Sequence, residues 1–252
     1  MLIHSTWTFT VSDRAVLPRT YRLELIKELH RRMGLEMGNE SIPSVSYSGI
    51  VGHCSPVQDF LSFHTDEFYQ LSLCGLNETA SKAIANLDLT PTLEFLGATF
   101  NVSDRQAHIS SYDQLYHTLV AAEPEPTKQF DLRFTTPTTF SQGRTTLPLP
   151  VPTMMFRSWL ERWNTFAPVY LGGDELIEYL GEAIVLTRHR LQSRSFPIHS
   201  NWINGYTGEA RLQVLNRMDA LIANVATLLV HYSEFAGTGA KTRLGMGKTR
   251  LN

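Results

Sequence analysis

The order of periodic segments predicts an α+β fold built from two tandem ferredoxin-like βαββαβ units. Length and composition, a central linker and a repeated segment order carry that prediction. The chain has 252 residues, enough for two modest domains. With 42% hydrophobic and 18% charged residues, its composition is globular. Residues 122–128 form a Pro/Glu stretch in which Pro124 and Pro126 forbid helix and discourage a central strand. The expected units are therefore residues 1–124 and 128–252.

In the first unit, residues 2–10 alternate: Ile3, Trp7 and Phe9 against His4, Thr6 and Thr8, as in a half-buried strand. Pro18 precedes a helix over about 21–33, with Leu25, Ile26, Leu29 and Met33 at helical spacing. Residues 45–51 and 68–73 read as strands. Residues 78–87 read as a helix capped by Asn77, and 93–102 as a final strand. The second unit follows the same order. Residues 130–135 alternate, Pro152 precedes a helix over 153–166, and 183–191 and 210–215 read as strands. A long helix over 216–235 places Met218, Ile222, Val225, Leu229 and Tyr232 on one amphipathic stripe.

The net charge of −2 hides an asymmetry. Residues 1–125 carry 8 Lys/Arg against 15 Asp/Glu, whereas residues 126–252 carry 14 against 9. From Arg188 onward the balance is 9 against 3, a local basic surface of the kind that phosphate contacts need. Cys54 and Cys74 make no disulfide framework and show no zinc spacing. Residues 1–9 are too short and polar for a signal peptide, and no stretch approaches a membrane span. A soluble, reducing, cytoplasmic setting is the expectation.

Chemistry concentrates near the C-terminus. Gly237, Gly239, Gly245 and Gly247 are interleaved with Lys241, Arg243, Lys248 and Arg250. Glycine permits close backbone approach, exposed N–H groups can form an anion nest, and the cations add a long-range field. A phosphate backbone is the natural partner. The segment is not a Walker loop, because the first glycine is missing and the segment follows a helix.

This tail resembles the C-terminal Gly-rich loop of the RAMP superfamily, the repeat-associated RNA-binding proteins of CRISPR systems, and in particular their repeat-processing endoribonucleases. Phe134 to Phe140, Leu147 to Pro150 leading into Phe156 to Asn164, and Ile203 to Gly208 resemble that family's second domain. Leu17-Pro18 and Ile42 to Ser48 match more loosely. The resemblance implies tandem ferredoxin-like, RRM-like domains and metal-independent cleavage of precursor CRISPR RNA, with no cofactor. The ribose 2′-OH would attack the adjacent phosphate, leaving a 2′,3′-cyclic phosphate and a 5′-OH. That chemistry needs a base, an acid and cations.

Histidine suits the acid–base work. The resemblance places a histidine on or just after the first helix, and His30 lies there with Arg31 and Arg32 beside it. His53, between Gly52 and Pro56, is the second candidate. Tyr47 can donate a hydrogen bond, although an aromatic in a strand is ordinarily core. The other histidines, His199 among them, read as structural. Arg188 and Arg190 share one strand face and extend the expected RNA surface, together with Arg31, Arg32, the four tail glycines, Lys241, Arg243 and Lys248. The expected partner is CRISPR repeat RNA, held as a hairpin, with further effector subunits as possible partners and no membrane, DNA or metal. The competing expectation is a non-catalytic RNA-binding subunit of a CRISPR ribonucleoprotein. A nucleotide-binding enzyme using residues 239–242 is more remote.

Overall fold

A computed structural model describes residues 1–38, 40–198, 201–215 and 218–252. In the first half, strand β1 (Leu2–Thr10) is followed by β2 (Ala15–Pro18), α1 (Arg22–Met33), β3 (Val45–Val51), β4 (Cys54–Val57) and β5 (Phe60–Phe63). Then come β6 (Tyr69–Gly75), α2 (Glu78–Asn86), β7 (Thr92–Phe95) and β8 (Ala98–Ser110). Helix α3 (Tyr112–Tyr116) runs into one π turn (His117–Ala121). The second half has β9 (Gln129–Thr138), β10 (Phe140–Gln142), β11 (Thr145–Leu147), α4 (Pro152–Phe166), α5 (Asp174–Ala183), β12 (Ile184–Ile198) and β13 (Asn201–Val214). It closes with α6 (Ala220–Ala236), a 3₁₀ turn (Thr242–Leu244) and β14 (Thr249–Leu251).

The two main sheets share one topology. The first has the order β3-β6-β1-β8-β7 and the second β12-β13-β9-β14. Numbering each unit's principal strands one to four, both read second, third, first, fourth. Neighbouring strands in both sheets pair antiparallel. This is the ferredoxin-like arrangement stated twice. A small sheet, β2-β5-β4, is added to the first unit.

Local chemistry explains the elements that matched expectation. On α1, Leu25, Ile26 and Leu29 are buried, and Gly34 ends the helix in the left-handed conformation. Asn77 caps α2, its Oδ1 accepting from Ala80 N at 2.8 Å. Residues 122–128 carry neither helix nor strand.

Four departures follow from tertiary context. The expected strand over 93–102 is the β7–β8 hairpin, turning at Leu96 and Gly97, both at positive φ. Helix α5 and the small sheet are additions to the expected order: the first is a short acidic helix with only Ile177 and Leu180 buried, the second is made of four-residue strands. Strands β12 and β13 form one long hairpin rather than two short strands. Helix α6 starts at Ala220, capped by Asp219; the expected start at Asn216 lies outside the described residues, as does His199. It is not amphipathic but buried nearly all round. One side joins the second core with Trp159 and Trp163, and the other meets the first sheet, where His108 packs on Phe235 at 5.2 Å. Among the described residues, no helix is long and apolar enough to cross a membrane.

Candidate active site

The Gly-rich segment is a tightly packed loop between α6 and β14. All four glycine N–H groups have protein acceptors. Gly237 N donates to Ser233 O, Gly239 N to Ser158 Oγ, Gly245 N to Thr242 O and Gly247 N to Pro137 O. The expected open anion nest is therefore absent from these glycines. Their role in the fold is close approach: a Cβ at Gly239 would lie 2.2 Å from Thr139 O, and one at Gly247 2.2 Å from Thr238 O.

The loop's cations separate into three kinds. Lys248 is a correction to the expected RNA surface. It is buried, and its Nζ donates to Glu234 O at 2.9 Å and to Cys74 Sγ at 3.1 Å, tying the loop to β6 of the first unit. Arg243 is half-buried and donates to Gly38 O at 2.9 Å, reaching the segment after α1. Lys241 is exposed and holds a left-handed conformation at φ 60°.

His30 comes to meet them from the last turn of α1. It is half-buried, and its ring lies 5.7 Å from that of Tyr47. Its Nδ1 has no hydrogen-bond partner among the described residues, nor has the Tyr47 hydroxyl. Burial lowers the His30 pKa below 6.5, the backbone of Leu35 and Glu36 opposes that shift, and Arg243 adds to it. Burial pushes the Tyr47 phenol above its ordinary range. A cavity of about 580 Å³ opens on His30, Lys241, Arg243, Asn77 and Ile198. Ile198 belongs to the tip of the β12–β13 hairpin, so both units build this cavity. A second cavity of about 460 Å³ lies on the α4 side, against Arg157, Ser158 and Arg162. Lys241 and Arg243 line both and stand between them.

The remaining candidates lie elsewhere. His53 is exposed in the turn before β4, its ring stacked 6.3 Å from His64, and it lines neither cavity. Arg31 and Arg32 both donate to Glu28, holding that carboxyl at about 2, and neither lines the His30 cavity. Arg188 and Arg190 do share one side of the second sheet, in a groove with Asp131, Glu209 and Arg211. That groove is separate from the His30 cavity. Sequence reasoning missed Ile198 and the α4 residues Ser158 and Arg162. A polar pair four residues apart on a helix otherwise rich in buried aromatics was the available signal.

Residues 132–249 match the family model described as CRISPR-associated endoribonuclease Cas6. The second half of the chain is thus similar to Cas6-type proteins, and the fold as a whole is similar to theirs. A curated Cas6 endoribonuclease of Mycobacterium tuberculosis is 29% identical over 146 residues, 58% of this chain and 44% of that protein. One of Streptococcus thermophilus is 29% identical over 123 residues, 48% and 50% of the two. The chain spans about half the length of the curated relatives it matches. Among solved structures, a Cas6 product complex has a TM-score of 0.75 at 20% identity, with both chains covered fully. Thermus thermophilus Cas6 gives 0.71 at 17%, covering 100% of this chain and 98% of that one. A Cas6-related protein of Pyrococcus furiosus gives 0.68 at 14%, covering 100% and 99%. These likenesses bear on the fold, and they agree with tandem ferredoxin-like units.

Proposed function

We propose that this chain is an endoribonuclease that cuts precursor CRISPR RNA within its repeats. The observation that carries this is the shared cavity: a titratable His30 from the first unit faces Lys241 and Arg243 from the second. The curated relatives are named as Cas6 endoribonucleases, and solved neighbours include Cas6 product and substrate-mimic complexes. In this reading, residues 1–124 supply the acid–base group and residues 128–252 the Gly-rich loop.

The proposed step is attack of a ribose 2′-OH on the adjacent phosphate: the 2′-O–P bond forms as the P–O5′ bond breaks, the 2′-OH proton passes to the base, and the 5′-oxygen takes a proton from solvent to leave as a 5′-OH, with a 2′,3′-cyclic phosphate behind. A pKa below 6.5 keeps His30 neutral at pH 7, suited to taking the 2′-OH proton. Lys241 and Arg243 supply positive charge where the phosphorane gains negative charge. Arg188 and Arg190 offer a flanking contact to the RNA backbone, suited to a hairpin read by shape. The direct test is incubation with repeat RNA in EDTA, followed by analysis of the ends. Cyclic-phosphate and 5′-OH ends are expected. Binding without any cut would favour an RNA-holding subunit, and a strict divalent-ion requirement would contradict the metal-independent route.

Two further outcomes follow. If neutral His30 is the base, the acid limb of kcat/KM should have its midpoint below that of a free imidazole, because the ring is inactivated by protonation and burial lowers its folded pKa. Arg243→Met removes one of the influences that depress that pKa, so this acid limb should move to higher pH. A limb that stays put would separate Arg243 from His30 electrostatically. Charge reversal at Lys241 and Arg243 together should weaken RNA binding and flatten its salt dependence, by roughly 0.7–0.9 in log–log slope for each phosphate no longer neutralised. Filter binding across a salt series measures both, and an unchanged slope would remove the loop from the RNA surface.

A further inference from the structure

We infer that Arg162 is a positioning residue for the proposed RNA site: through the Gly239 carbonyl it holds the loop conformation that presents Lys241 to the His30 cavity. Arg162 lies on α4 between buried Leu160 and Trp163, and it is only 8% exposed. Among the described residues it has no carboxylate within ion-pair distance. A buried charge without a carboxylate is costly, and an apolar side chain would fill the same space without that penalty. What the guanidinium adds is a planar fork that can hold several oxygens at once. Its Nη1 donates to Ser158 O at 2.7 Å and Ser158 Oγ at 2.6 Å, and its Nη2 donates to Gly239 O at 2.6 Å. Ser158 Oγ in turn accepts from Gly239 N at 2.8 Å. Both backbone groups of Gly239 are therefore held by one turn of α4. The next residue, Ala240, donates its N–H to Thr139 O at 2.8 Å.

Lys241 follows directly, at φ 60° and ψ 28°. A side-chain-bearing residue stays in that region only where its surroundings over-determine it. The grips on Gly239 and Ala240 supply that constraint from the N-terminal side. Without the Arg162 fork, Lys241 has less reason to remain left-handed, and its ammonium need no longer stand at the ridge between the two cavities.

The loop geometry stands on its own, whereas the consequence for RNA rests on the endoribonuclease reading, so the test has two arms. The first is amide hydrogen exchange over residues 239–245 without RNA, in the wild-type protein, Arg162→Lys and Arg162→Met. Faster exchange in Arg162→Met, largely restored in Arg162→Lys, is expected. Unchanged exchange in Arg162→Met would overturn the inference whatever the RNA results. Should Arg162→Met fail to fold, Ser158→Ala replaces it, since it removes the acceptor of Gly239 N while leaving the cation.

The second arm measures cleavage of a repeat RNA that the wild-type protein cuts, with the Arg162 variants made alone and on Lys241→Ala. Arg162→Met should raise KM about tenfold, the size expected from removing one charge-assisted hydrogen bond, and Arg162→Lys should recover most of that. On the Lys241→Ala background, Arg162→Met should change KM less than about twofold, because its effect passes through Lys241. An equal effect on both backgrounds would make Arg162 a merely structural residue and overturn the inference. Absence of cleavage by the wild-type protein would instead overturn the endoribonuclease reading, and the exchange arm would then decide on Arg162 alone.

Discussion

Replacing His30 with alanine is expected to lower cleavage of repeat RNA by roughly 10²–10⁴-fold, the usual contribution of one acid–base group, with RNA affinity nearly unchanged. The fold should tolerate the change. Helix α1 is closed by backbone groups, with Gly34 N donating to Arg31 O and Leu35 N to His30 O, and alanine keeps both. The His30 Nδ1 has no partner to lose among the described residues, and alanine is the better helix former. The loss is a half-buried ring beside Tyr47, whose hydroxyl likewise has no partner among those residues. Single-turnover cleavage read beside filter binding separates chemistry from affinity. His53→Ala is the matched control, because His53 stands outside the cavity. Should His53→Ala abolish cleavage while His30→Ala leaves it intact, the catalytic assignment fails.

The difference between these histidines was only partly legible in the sequence. Local rules carried the elements on which the site is mounted. The alternation of β1, the Leu25/Ile26/Leu29 face of α1 and the Asn77 cap all depend on neighbours within a turn or two, and each appears where expected. Sheet order depends on contacts between distant segments, so periodicity could state βαββαβ twice but could not by itself join β14 to β9. Helix α6 shows the same limit. Its apolar residues read as a stripe, yet packing on the first sheet covers the other side too. Charge misled in a related way. Lys248 counts toward a basic tail in the sequence, but in the fold its ammonium is satisfied by a thiol and a helix-end carbonyl. Arg31 and Arg32 sit beside His30 in the sequence, but both are engaged by Glu28. Ile198 enters the cavity only because a long hairpin carries it across to the other unit.

The tail glycines give the second large expected effect. Gly239→Ala should destabilise the protein by about 3 kcal/mol or more, in the range reserved for core clashes and backbone strain. Two costs add at this position. Its φ of +78° is one that a side-chain-bearing residue occupies only at a penalty of about 1–2 kcal/mol. The new Cβ would also lie 2.2 Å from Thr139 O, a backbone atom that cannot swing aside as a side chain could. Relieving that clash must lengthen the Ala240 N to Thr139 O bond or pull Gly239 O from Arg162, and so disturbs the loop at its α4 anchor. Gly34→Ala isolates the first cost. Gly34 has a similar φ of +65°, but a Cβ there would meet nothing within 4 Å. The destabilisation should therefore stay near 1–2 kcal/mol. Denaturant melts of the two variants against the wild-type protein measure the difference. Equal destabilisation would mean that close approach does not hold the loop. A much larger effect for Gly239→Ala would show that this glycine serves backbone packing, with its N–H already committed to Ser158 rather than to a phosphate. RNA contact by the loop would then fall to the side chains of Lys241 and Arg243, carried on a backbone that only glycine lets close.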